Sequence, residues 1–387
     1  MNKRLKHFVS GWAGAAVLSM TIGVSLDAGM AWAQPSEDRV VPAVNEGTLE
    51  EVLAGVVARS PKTYPDRVTA VPDEGEMSDQ STEQLHEYLA SWNPALRQRA
   101  ARELASRADE VLVALKDLAD SENGNMRAGV GSALWLGVRH RLRNWRDYAG
   151  ESGDREALRA RLRETYGSVF LALTGDKRPE ARWMGLKGLQ EVQLNTPEAV
   201  KAVLALCEDP NEHLATEAVI SLNRTFDVEL ADENDVSAAI KSAMNAPLPR
   251  GKGSALKLIQ EMDEASQRAF IPVLLDHLDW QPDRDTMFGA SGQAEALALL
   301  TKLRVKEVVP RIPGLMKKTM RGPGLFEPCI DSVRAFGEDA KVILPQLRVH
   351  RSELEQRLEK PMRGSSRREL QLKLYRLKEV IDHVENL

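Results

Sequence analysis

The chain has 387 residues, 52 Lys and Arg against 57 Asp and Glu, a net charge of −5 and only 5% aromatic residues. A mildly acidic chain of this kind is not built as a general nucleic-acid binder, which would carry a basic face or a high pI. Its length exceeds the roughly 250–300 residues that one hydrophobic core usually organises, so it predicts either two domains or a repeat array.

Residues 1–33 have the layout of a secretory signal peptide. Lys3, Arg4 and Lys6 give a cationic start, Phe8 to Leu26 is mostly apolar or small, and Ala31-Trp32-Ala33 offers small residues at the cleavage positions. A retained anchor is the competing reading. Glycines and hydroxyl residues interrupt the run, however, and Asp27 closes it, whereas a spanning helix needs about 20 predominantly apolar residues. Removing this segment leaves 49 basic and 56 acidic side chains, a net charge of −7, and no later stretch apolar enough to span a bilayer. The expected location is periplasmic or secreted.

Residues 34–80 read as a linker, with Pro35, Pro42, Pro61, Pro65 and Pro72 spread along it. Within it, Thr48-Leu49-Glu50-Glu51 is a capping box that opens a short amphipathic helix at about 48–59, with Leu49, Val52, Leu53, Val56 and Val57 on one face.

From residue 81 onward the apolar residues recur at helical period and no run alternates like a strand, which makes this an all-α chain. One pattern recurs at Leu96–Leu104, Met126–Leu134, Ala181–Leu189, Leu214–Leu222, Arg250–Leu258, Ser291–Leu299 and Leu325–Val333. The steps are 30, 55, 33, 36, 41 and 34 residues, so five fit a two-helix unit and the long one holds an insertion at about 137–170. Partner helices carry Pro272, Pro310 and Pro345 in register, which predicts a bend once per unit. An acidic or Asn residue precedes an apolar-Arg pair at Asn93 and Leu96-Arg97, Asp120 and Met126-Arg127, and Asp176 and Ala181-Arg182.

Over roughly residues 81–350 these features resemble the HEAT-repeat family, including the related bacterial HEAT-like repeats. The pair is lost from Leu214-Ala215 onward, so the C-terminal half is a degenerate match. The resemblance implies a right-handed α-solenoid of about seven stacked antiparallel helix pairs, in which no single pair can bury its apolar face alone. Residues 351–387 are expected to cap it, ending in an amphipathic helix over Arg367–Leu387 with Leu370, Leu374, Leu377, Ile381 and Val384 on one face. Cys207 and Cys329 then lie about three repeats and ~25 Å apart, which predicts two buried, unpaired thiols.

The search for chemistry returns little. No His-x-x-His, His-x-x-x-His or Cys-x-x-Cys spacing offers a metal site, no Gly-x-Ser-x-Gly elbow is present, and no cofactor motif stands out. Gly251-Lys252-Gly253-Ser254 lacks the earlier glycine of a phosphate loop and reads as a tight turn into a repeat helix. Asp276, Asp279, Asp283 and Asp285, with His277 and Trp280, lack the order of a calcium loop and read as a solvated loop after a helix over 270–279.

One stretch stands apart: Arg139, His140, Arg141, Arg143, Trp145, Arg146 and Tyr148, inside the insertion. Arginine beside aromatic rings suits phosphate, carboxylate or sugar surfaces. The plainer reading is a helix whose basic face pairs with the acidic segment Glu151–Glu156. The expected function is therefore a non-catalytic, protein-binding or scaffolding solenoid that holds a protein or peptide partner. The alternatives are a HEAT-like enzyme resembling lyases or glycosylases, or a binder of anionic envelope polymers.

Overall fold

Helix-starting chemistry is written along the chain. Side chains of Asn93, Asn123, Asp154, Thr196, Asn211, Asp232 and Asp263 each accept a first-turn amide, and Pro94, Pro179, Pro197 and Pro249 occupy the first helical position. The computed structural model describes residues 74–150, 153–280, 292–317, 324–361 and 363–387, which fall within one unit, Thr69–Leu387. The signal peptide, the linker to residue 73 and the helix predicted at 48–59 lie outside the described residues.

Among the described residues there is no strand. A short helix α1 (Glu74–Ser78) precedes α2 (Thr82–Leu89) and α3 (Pro94–Ser106). Then come α4 (Asp109–Ala114) with a 3-10 turn at Leu115–Leu118, α5 (Gly124–Arg143), the single turn α6 (Trp145–Tyr148), α7 (Arg155–Thr174) and α8 (Pro179–Val192). The chain continues through α9 (Pro197–Leu206), α10 (Glu212–Arg224), α11 (Glu233–Asn245), α12 (Pro249–Glu261), α13 (Glu264–Arg268), α14 (Ile271–Asp279) and α15 (Gln293–Lys302). It ends with α16 (Ile312–Lys317), α17 (Phe326–Phe336), α18 (Leu344–Glu359) and α19 (Gly364–Glu385).

The second helix of each pair packs on the second helix of the next: α3 on α5, then α8, α10, α12, α15, α17 and α19. This is an all-α solenoid. Its first seven second helices carry the seven recurring sequence segments, and α18 with α19 repeats the arrangement once more at the C-terminus. On α19, Leu370, Leu377, Val380, Ile381 and Val384 are buried, while Leu374 is only half-buried. No described helix is long and apolar enough to cross a membrane.

One feature corrects the sequence reading and two place it in the fold. The extra length of the long step lies in its helices: α5 and α7 each have 20 residues, and α6 adds a turn between them. The prolines do not bend helix interiors. Pro272, Pro313 and Pro345 are each the second residue of a helix, where proline's fixed φ is already helical and its missing N–H is not needed. Pro310, the residue aligned by sequence, sits in a 3-10 lead-in at Lys306–Arg311, and Pro313 holds the equivalent place. His277 and Asp279 belong to the last turn of α14, with His277 buried and Asp279 paired to Arg311, while Asp283 and Asp285 lie outside the described residues.

The apolar-Arg pair has a physical meaning. Arg97, Arg127 and Arg182 are the fourth residues of α3, α5 and α8. Each donates through Nη1 to two carbonyls of the preceding turn, Ser91 and Trp92, Ser121 and Glu122, Asp176 and Lys177. The turn residue two before each N-cap (Ser91, Ser121, Asp176, Asp209) accepts the N-cap amide at 2.8–3.2 Å. Where that residue is aspartate, the arginine of the previous pair also reaches it. Arg127 holds Asp176 through Nε and Nη2, and Arg182 holds Asp209 at 2.6 and 2.9 Å. Bidentate pairs of this kind fix both distance and orientation between neighbouring units.

Close approach needs small residues beneath these links. A Cβ on Gly185 would lie 2.7 Å from the Phe170 carbonyl oxygen and the Thr174 amide of α7, backbone atoms that cannot yield. Both cysteines are free and buried, as expected. Burial pushes the Cys329 thiol up to about 12 and the Cys207 thiol higher still, so neither forms a thiolate readily.

Cations return at the fourth helical position in the C-terminal half, as Arg367 of α19, which donates to the Leu358 carbonyl, and as Lys252 of α12. Its ammonium is buried, donates to the Met244 carbonyl that ends α11, and lies 5.0 Å from the Trp280 ring. Burial pulls its pKa from 10.5 down to about 8. Between those two values the unfolded chain binds the proton and the folded chain does not, so this residue's contribution to stability rises with pH. Urea melts of the wild type and Lys252→Met are expected to show their stability difference moving by about 2–3 kcal/mol in the wild type's favour across that window. A difference that stays flat with pH would contradict the assignment.

Candidate functional site

The basic and aromatic stretch occupies the last two turns of α5 and the single turn α6. An α-helix turns about 100° per residue, so Arg139 and Arg143 share a face while Arg141 points the opposite way. Arg139 is half-buried with its guanidinium carbon 5.3 Å from the Trp135 ring centroid, and Arg143 is exposed. Arg146 is exposed and lies 5.5 Å over the half-buried Trp145 ring. Stacking on an indole holds a guanidinium plane in place while leaving its N–H edge open.

Arg141 does something else. It is 2% exposed, bonds Asp109 at 2.6 Å, and donates to the carbonyls of Ala105, Arg107 and Gly137 at 3.0–3.2 Å. It clamps the end of α3 and the start of α4 to α5, with the Tyr148 ring 5.1 Å from its guanidinium. The expectation that Arg141 binds a ligand is therefore corrected: its donors are spent inside the fold. Tyr148 and His140 support this frame. Their rings meet edge-on at 5.8 Å, Asn144 Nδ2 lies 3.3 Å from His140 Nδ1, and Arg161 donates to the Tyr148 carbonyl at 2.7 Å.

The seven residues thus divide into a frame (buried Arg141 with half-buried His140 and Tyr148) and a surface set (half-buried Arg139 and Trp145, exposed Arg143 and Arg146). Of the acidic segment Glu151–Glu156, Glu156 pairs with Arg159 on its own helix and Asp154 caps α7. Glu151 lies outside the described residues. Among the described residues, no ion pair joins Arg139, Arg143 or Arg146 to a carboxylate. Cations at a helix C-terminus also compensate the helix dipole, an effect of about 0.3–1 kcal/mol at exposed sites.

Sequence reasoning missed Trp135, one turn before Arg139, and its counterpart on α8. Trp183 is half-buried, and Lys187 sits 5.1 Å over its ring, again four residues on. The signal was a Trp followed at i+4 by a cation, twice. Lys187 differs in being neutralised by Glu217 of α10.

A second feature is an open cleft of about 730 Å³ between the 3-10 turn after α4 and the C-terminal end of α7. Lys116, Asp120, Glu122 and Lys177 stand around it, with the Arg127–Asp176 pair in its wall. Its charges are mixed in sign and close together. Among the described residues no group of three or more His, Cys, Asp or Glu could hold a metal ion.

Comparison with protein-family models gives no match, and comparison with curated proteins gives none either. Among solved structures, the chain is similar to an archaeal HEAT-like repeats protein from Thermococcus onnurineus NA1, at 17% identity over 79% of this chain and 98% of that one, with a TM-score of 0.31. It is similar to an engineered protein at 14% identity, over 81% of this chain and 92% of that one, with a TM-score of 0.38. Its similarity to Kap121p is 12% identity over 81% of this chain and 42% of that one, with a TM-score of 0.33.

Proposed function

We propose that the chain is an exported, non-catalytic solenoid that binds a protein or peptide partner. One observation carries this reading: the surface of α5 and α6 presents three guanidinium groups without carboxylate partners among the described residues, on a chain whose net charge is −5. Guanidinium groups without a carboxylate partner among the described residues, two of them held on indole rings, make a surface suited to an acidic counterpart. Export is supported by Lys3, Arg4 and Lys6 before an apolar run that closes at Ala31-Trp32-Ala33.

The test is affinity capture from the native cell envelope, with the N-terminus of the processed chain sequenced in the same preparation. The expected outcome is a mature start at Gln34 and a stoichiometric protein partner. An uncleaved chain, or a chain that turns over a small molecule and retains no partner, would sink the proposal.

A further inference from the structure

We infer that the face of α5 centred on Trp135, Arg139 and Arg143 receives an extended acidic peptide through alternate carboxylates. This rests on the reading of the chain as a protein-binding solenoid and adds to it the chemistry of the partner.

The platform is rigid. A Cβ on Gly131 of α5 would lie 2.9 Å from the Met184 Cβ of α8, and one on Gly129 would lie 2.6 Å from the Leu89 carbonyl oxygen of α2. Helix α5 therefore meets the α2 backbone directly at Gly129, while Met184 of α8 and Leu173 of α7 pack straight onto Gly131. Trp135 lies one turn beyond the Gly131–Met184 contact, Trp183 lies next to Met184, and both indoles are half-buried. Trp135 thus continues the stripe of α5 that meets α8 at Gly131, with half-buried Leu136 next to it in the chain.

The cations are placed for carboxylates. Arg139 and Arg143 are four residues apart, a rise of about 6 Å along the helix. Residues i and i+2 of an extended strand lie about 6.5–7 Å apart on one face, so alternate acids match that spacing. Arg139 is held on the Trp135 ring, which leaves its outer N–H edge free for bidentate contact. Lys187 is already paired to Glu217, which confines the unneutralised charge to the α5 side.

A peptide fits better than a long polyanion for two reasons. The rest of the chain is acidic and repels extended negative charge, and the half-buried Trp135 and Leu136 precede the arginines by one turn.

The experiment uses the processed full chain and a short fluorescein-labelled peptide alternating Glu and Val, with an alternating Gln and Val peptide as control. Binding is read by anisotropy at low and raised salt and by indole fluorescence. The Glu peptide is expected to bind in a salt-sensitive way and the Gln peptide not to bind. An Arg139→Gln, Arg143→Gln double variant should bind the Glu peptide about tenfold more weakly or worse, with an unchanged melting temperature.

Absence of Glu-peptide binding by the wild type, equal binding of the Gln peptide, or equal binding by the double variant would overturn the inference. Tighter binding of inorganic polyphosphate than of the Glu peptide would overturn it as well, by assigning the arginines to phosphate. The two proposals fail separately. A stoichiometric envelope partner captured equally by wild type and double variant leaves the binding function standing and removes this surface. Glu-peptide binding with no captured partner keeps the surface and removes the function.

Discussion

Asp176→Ala is expected to cost about 2–3 kcal/mol of folding stability, read as a lower urea midpoint. The carboxylate is nearly buried and accepts both the Arg178 amide and the Arg127 guanidinium, so its loss leaves an N-cap amide without its partner and a half-buried cation with only the Ser121 and Glu122 carbonyls. Burial raises the Asp176 pKa, yet the hydrogen bonds from Arg127 and the Arg178 amide, with both positive charges, outweigh it and hold the carboxyl below its ordinary value. A depressed folded pKa gives stability that is present above the unfolded value and lost as pH falls through the folded one. The variant's deficit should therefore shrink on acidification below about pH 4. A deficit independent of pH, or none at all, would remove Asp176 from the role given to it.

Arg141→Ala is expected to cost about the same, about 3 kcal/mol, because three carbonyls of the α3–α4 junction and α5 lose a buried donor at once. Arg143→Ala, two residues away and exposed, should stay within about 0.5 kcal/mol of the wild type. The two variants separate frame from surface. If Arg143→Ala unfolds the chain while Arg141→Ala leaves it intact, the division of the basic stretch is wrong. Thermal melts of both proteins decide it.

The repeat was legible because its markers are local. Asn93 and Pro94, then Leu96-Arg97, state in a few residues how a helix starts and which side chain ties down the preceding turn. The same spacing at Arg127 and Arg182 made the period visible. The C-terminal half blurred because other residues took the fourth helical position: Ala215 in α10, Lys252 in α12 and Cys329 in α17. Of these, Lys252 still caps a helix end, which the motif Gly251-Lys252-Gly253-Ser254 does not announce.

The proline register was misread by one motif. Pro310 and Pro313 lie three residues apart, and only the place where the 3-10 lead-in becomes α16 tells them apart. In the basic stretch the residue types were visible but their faces were not used. Helical period alone puts Trp135, Arg139 and Arg143 on one stripe and Arg141 on the other. What no period could show is that Arg141 has three carbonyls waiting for it, contributed by α3, the turn after it and α5.

The central claim is that this solenoid binds a partner through the α5 face. Its most direct test is the envelope capture performed twice, with the wild type and with Arg139→Glu, Arg143→Glu. A stoichiometric partner held by the wild type and absent from the folded variant is the predicted result. A wild type that purifies alone, or a variant that keeps the same partner in the same amount, would contradict it.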